Sequence, residues 1–346
     1  MGYRTKAFLY FLILIVIITS FGCSTTGDKP FDAFAISVTD FRGKEISLAK
    51  PATRIVCLIE SGLSGLYMLQ AENQVIAVPS AVYDEGLFSR YAALDDRIKN
   101  KQLPAPGNWD FVSIENIVAL QPDLVIIWSS QTESIQSIEA HGIPVYGVFL
   151  ESFSDVYKEI EDLGKLTGKS QRADSIIAYT KSEIISFKKQ QKSSNEKKKS
   201  VYFMWSQGLL STAGTTSTVN ELIELAGAIN SCTFSQEHVT INKERLLDWN
   251  PDVMVMWHNP SLKPGDIIAL PELKQVSAIQ NKQVFELSSV FMYDLWTLKF
   301  PNSVKTIAKW CYPDTFADLD LKEEQHKMLI ELYGKRGGRL MDEWQE

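Results

Sequence analysis

Residues 115–128 and 244–257 follow one pattern: Glu115, Pro122-Asp123 and Trp128 in the first stretch, and Glu244, Pro251-Asp252 and Trp257 in the second, at identical spacing. Each stretch reads as a short amphipathic helix, a Pro-Asp stop, and a wholly apolar strand that ends on tryptophan. A repeat in one register predicts two lobes of the same design.

The rest of the chain fits that plan. A hairpin is predicted over Phe34–Asp40 and Lys44–Leu48, turned by Arg42-Gly43. Short apolar runs follow at 54–58, 75–78, 123–128 and 145–148, and again at 200–205, 252–257 and 283–287, with helical patterns between them. Strands that alternate with helices imply mostly parallel sheets, hence an α/β fold of two Rossmann-like lobes. Between the lobes, apolar residues from Val156 to Ile185 recur at helical spacing, with Gly164 and Gly168 as the points at which a break would fall. The expected organisation is therefore residues 34–152 as one lobe, 153–193 as a connecting helix and 194–346 as the second lobe.

Arg4 and Lys6 precede an aliphatic run over 7–19 that has signal-peptide length, too short for a comfortable membrane span. Ser20-Phe21-Gly22-Cys23 and a polar segment follow. We expect residues 1–22 to be a lipoprotein signal, Cys23 to carry the lipid, and 23–33 to tether the body to a membrane in the cell envelope, outside the cytoplasm. The net charge of −7 argues against a nucleic-acid partner. Cys57, Cys232 and Cys311 lie in or beside apolar segments and read as buried small hydrophobes.

Ligands of open parallel sheets bind beyond the carboxyl ends of the strands. The residues there are notably aromatic: Tyr83, Trp109 and Trp128 in the first half, and Trp205, Trp257, Tyr293 and Trp296 in the second. Flat rings suit a large planar ligand. Of the four histidines, His258 directly follows a strand and is the candidate for touching a ligand or a metal. No motif suggests a catalytic couple, so no catalytic residue is assigned.

With Gly107-Asn-Trp-Asp110, Leu120-Gln-Pro-Asp-Leu-Val125, Asn220-Glu-Leu-Ile-Glu-Leu-Ala-Gly227 and Glu244-Arg-Leu-Leu247 in this order, the chain resembles substrate-binding proteins of ABC importers for ferric siderophores, haem and cobalamin. The resemblance implies two α/β lobes joined by a single long rigid helix, with the ligand cleft between them and little lobe closure. It implies a non-enzymatic, monomeric protein with no intrinsic cofactor, its bound metal chelate being the transported ligand. It also implies a permease dimer with ATPase subunits as partner, met by one glutamate per lobe, Glu115 and Glu244. Scarce arginine in the loops favours a neutral flat ligand such as a corrinoid, with haem next; His258, Tyr83 and Tyr293 are conceivable axial ligands, and Arg90, Arg97 and Lys263 conceivable cations of the cleft. Two other classes are carried beside this one: a surface enzyme that modifies or demetallates a cofactor, and a surface receptor or adhesin for a protein.

Overall fold

The computed structural model describes residues 36–191 and 197–342. The expected signal, the lipidated Cys23 and the tether lie outside the described residues. The chain begins with the expected hairpin: β1 (Ile36–Thr39) and β2 (Glu45–Leu48) pair antiparallel around Gly43, whose φ of 77° the turn requires.

The first parallel sheet contains β3 (Ile55–Cys57), β4 (Val75–Ala77), β5 (Leu124–Trp128) and β6 (Val145–Val148), in the order β4-β3-β5-β6. Its helices are α1 (Glu60–Met68), α2 (Glu85–Leu94), α3 (Ile114–Ala119) and α4 (Thr132–Ala140). Two helices, α5 (Phe153–Leu166) and α6 (Ser170–Gln191), lead to the second half.

That half holds β7 (Ser200–Met204), β9 (Ile229–Asn230), β11 (Val253–Trp257) and β12 (Val284–Leu287) in one parallel sheet, with β8 (Ser211–Ala213) and β10 (His238–Thr240) as a separate antiparallel pair. Its longer helices are α7 (Thr218–Leu225), α8 (Lys243–Trp249), α9 (Phe300–Cys311) and α10 (Leu321–Tyr333). Read from one edge, the second sheet runs β9-β7-β11-β12, the same path as the first.

The repeat also extends to register. Leu124, the residue after Asp123, pairs with Ile55; Val253, the residue after Asp252, pairs with Val201. Trp128 sits opposite Val148, and Trp257 opposite Leu287. Each repeat aspartate ties down the start of its neighbouring strand. Asp123 accepts from the backbone N–H of Thr53 and Arg54 (both 2.8 Å), and Asp252 from that of Ser200 (2.8 Å). The residue before each proline, Gln121 or Asn250, is left-handed (φ 48° and 42°) and ends its helix.

The connector differs from the expected single helix. Helical spacing continues across it, but the chain breaks at Thr167-Gly168-Lys169, where Gly168 has a φ of 70° and faces Pro51 so closely that a Cβ would sit 2.9 Å from its ring. Only glycine meets both demands, and the periodicity of apolar residues does not register such a stop.

One hydrophobic core runs through both halves. Phe153 of α5 stacks on Phe300 of α9 at 3.8 Å, and Tyr91 of α2 meets Phe291 edge-on at 5.5 Å. Helix α10 and the residues after it pack back onto the first half: Tyr333 Oη bonds Ser64 Oγ at 2.5 Å, and Arg336 pairs with Glu72 at 2.6 Å. Cys57, Cys232 and Cys311 are buried free thiols, as expected.

Candidate functional site

Beyond the carboxyl ends of the strands, residues of both halves line a cavity of about 580 Å³. Its aromatic walls come from Trp109 and Trp128 on one side and from Phe291 and Trp296 on the other, with Tyr91 between. Glu60, Ser61, Ser130, His238 and Asp294 supply the polar atoms. Local chemistry fixes each wall. Trp128 ends β5, and Gln131 at the head of α4 donates from Nε2 to the carbonyls of Asn108 (3.0 Å) and Trp109 (3.2 Å). Asn108 Oδ1 in turn accepts from the backbone of Asp110 and Phe111, folding the loop into a tight turn that leaves Trp109 63% exposed.

Trp296 is held from two sides. Asp294 Oδ1 accepts its backbone N–H at 3.0 Å, and its ring lies parallel to Trp205 at 6.3 Å and edge-on to Trp257 at 6.0 Å. His238 packs on Trp205 at 5.2 Å. Trp205 and Trp257 are themselves buried: they form the bed beneath Trp296 and do not line the cavity. Strand-end position alone does not separate a ring on the surface of a cleft from one supporting it.

Three other expected contacts lie elsewhere. The Tyr83 hydroxyl donates to the Leu103 carbonyl (2.7 Å). Tyr293 is buried, its hydroxyl accepting from Gln325 of α10 (3.2 Å). His258 turns toward Glu286, Nδ1 3.4 Å from Oε1, where Lys263 is already paired at 3.0 Å. None of the three lines the cavity, so an axial role for them has no geometric basis. Arg97 is committed to Asp95 (2.7 Å), and Arg90 donates to the Leu340 carbonyl. No lysine or arginine lines the cavity among its described residues. Nor do the described residues hold a cluster of three or more His, Cys, Asp or Glu side chains able to bind a metal.

Sequence reasoning puts Glu60-Ser61 beyond the first strand, at the ligand edge, but misses Asp294 and so the acidic floor the two carboxyls form. Glu60 begins α1 and Asp294 lies in the loop before α9, a juxtaposition that only the fold creates. Burial pushes both carboxyls up; on Glu60 the neighbouring acids Asp294 and Asp84 add to the rise, whereas on Asp294 the Lys299 ammonium and the Trp296 N–H work against it. Beneath them Lys299 is wholly buried, its Nζ 3.8 Å above the Phe291 ring and 3.3 Å from Ser64 Oγ; desolvation pulls its pKa down to about 8.

Glu115 and Glu244 are exposed in the first turns of α3 and α8, the matched helices of the repeat.

A family model described as periplasmic binding protein matches residues 55–290. The chain belongs to the periplasmic binding protein family. Members of this family are extracytoplasmic solute-binding proteins, here of the ABC-transporter type, and not enzymes; what they carry is a transported solute, not a resident cofactor. The binding protein is 23% identical over 333 residues to the uncharacterized ABC transporter substrate-binding lipoprotein YvrC of Bacillus subtilis, covering 91% of this chain and 100% of that one. It is 24% identical over 243 residues to a vitamin B12-binding protein of Vibrio campbellii, covering 69% of this chain and 82% of the relative. Among solved structures, the molybdate-bound MolA of Haemophilus influenzae superposes with a TM-score of 0.73 at 21% identity, over 86% of this chain and 97% of MolA. At that identity the likeness is one of fold. No helix among the described residues is long and apolar enough to cross a membrane.

Proposed function

We propose that this binding protein captures a metal chelate in the aromatic cleft and delivers it to an ABC permease, held to the membrane by a lipid on Cys23. The observation that carries the reading is the cavity itself: one space of about 580 Å³ walled by indoles from both halves. Its size lies within the range of small-molecule sites, and its rings offer broad contact to a flat macrocycle or a compact chelate. Trp109, Trp128 and Trp296 are the contact residues of this reading; Trp205 and Trp257 hold Trp296 in place. Titration of residues 27–346 with cyanocobalamin, haemin and ferric siderophores tests it, and absence of affinity tighter than micromolar for all of them would overturn it.

Glu115 and Glu244 dock on the permease in the same reading. They occupy equivalent places in two matched halves, as a two-fold partner with paired arginines would require. Replacing both with alanine is expected to abolish uptake in cells while leaving ligand affinity unchanged. Cys23→Ser is expected to release the protein from membranes, read by fractionation.

A further inference from the structure

Taking the cleft as a chelate site, as proposed above, we infer that its floor selects by charge: Glu60, Ser61 and Asp294 accept hydrogen bonds from a neutral or cationic ligand that carries N–H or O–H donors, and turn away anionic chelates and oxyanions.

Three observations support this. First, acceptors lie open in the cleft. Glu60 Oε1 is buried without a hydrogen-bond partner, and Ser61, only 5% exposed, lines the cavity with its Oγ unpartnered. Buried polar atoms left unpaired in a cavity mark where a ligand's polar atoms belong. Second, the charges are one-sided. Two carboxylates line the cavity and no lysine or arginine does. The nearby cation, Lys299, is sealed from the cavity and faces Asp294, so Glu60 is left without a counter-charge. Third, the feature that would favour an anion is already used. The amino end of α1 opens on the cleft, but Glu60's own carboxylate sits there and accepts its own backbone N–H. An anionic ligand would therefore meet repulsion in a site of reduced dielectric, while a donor would relieve two unpaired acceptors. The peripheral amides of a corrinoid and the neutral shell of a ferric hydroxamate meet these demands. Haem propionates, ferric catecholates and molybdate do not.

The test is a binding panel at pH 7 on the protein without its signal segment: cyanocobalamin and ferrichrome as neutral probes, haemin, a ferric tris-catecholate and molybdate as anionic ones. A neutral probe is expected to bind tightest. Glu60→Gln is expected to cut its lead over the best anionic probe by about tenfold to a hundredfold, the worth of a hydrogen bond to a charged group. Ser61→Ala, which leaves the charge alone, is expected to weaken the neutral probe without helping any anion. An anionic probe that binds tightest, or a preference that Glu60→Gln does not move, overturns the charge selection and leaves the cleft's role as a chelate site standing. Binding of no probe overturns both.

Discussion

At the scale of single residues, the aromatic cluster divides into rings that would touch a ligand and rings that support them, and substitution separates the two. Trp109 is largely exposed, so Trp109→Ala is expected to leave stability within about 0.5 kcal/mol while weakening ligand binding at least about tenfold. Trp205 is 5% exposed beneath Trp296, and Trp205→Ala is expected to cost about 3–5 kcal/mol, read by denaturant unfolding, as well as affinity. Two buried ionisable groups make a separate prediction about pH. Desolvation holds the Glu159 carboxyl up at about 8, with help from Asp294 and Asp162. The native state therefore keeps a proton that the unfolded chain releases above about 4.5, and stability falls as pH rises from there to about 8. Lys299 works the other way: between about 8 and 10.5 the unfolded chain holds a proton that the native lysine has lost, so stability recovers over that range. The advantage of Glu159→Gln over the parent should thus grow between pH 5 and pH 8, by as much as a few kcal/mol, in unfolding titrations at the two values. At this scale the sequence is partly readable. It places aromatic residues in the strand-end and loop segments beyond the sheets, and of these Trp109, Trp128 and Trp296 line the cavity, but the way Tyr83, Tyr293 and His258 turn depends on partners (Leu103, Gln325 and Glu286) brought by the fold.

At the scale of elements, the repeat carries most of what could be read in advance. Pro-Asp after a helix predicts a stop and a buried strand, and the stop is built twice from the same parts: a left-handed residue, a proline and an aspartate that caps the next strand over. The two copies nevertheless differ in one respect. Gln121 carries left-handed strain with no side-chain compensation at its own position, so Gln121→Gly is expected to stabilise by about 0.5–1 kcal/mol. Asn250 tolerates that conformation, and its Oδ1 accepts the Ser277 N–H at 2.7 Å, so Asn250→Gly is expected to destabilise by about 1 kcal/mol. Thermal unfolding of the two variants should move in opposite directions. Elements without an apolar rhythm stayed hidden. The β8–β10 pair is made of Ser211, Thr212, His238 and Thr240 around few hydrophobes, and its pairing is set by the return of the chain after β9. The break at Gly168 stayed hidden for the opposite reason: apolar spacing carries on through it.

At the scale of the whole molecule, the halves are fastened together behind the cleft. Besides the shared core, Lys305 of α9 pairs with Glu183 of α6 at 2.6 Å and with Glu324 of α10, so three helices meet at one partly buried ion cluster. Such bracing favours small rearrangement over hinge closure, and X-ray scattering with and without a saturating chelate is expected to show no resolvable change in radius of gyration. The position of α10 has a further consequence. Helix α10 and the turn after it cover a face of the first half, more than 200 residues earlier in the chain, where Tyr333 reaches Ser64 and Arg336 reaches Glu72. The first half therefore keeps an uncovered face until α10 is in place. A premature stop before Leu321 would uncover the amino-terminal half more than the carboxyl-terminal one, and the injury would surface hundreds of residues upstream of the lesion.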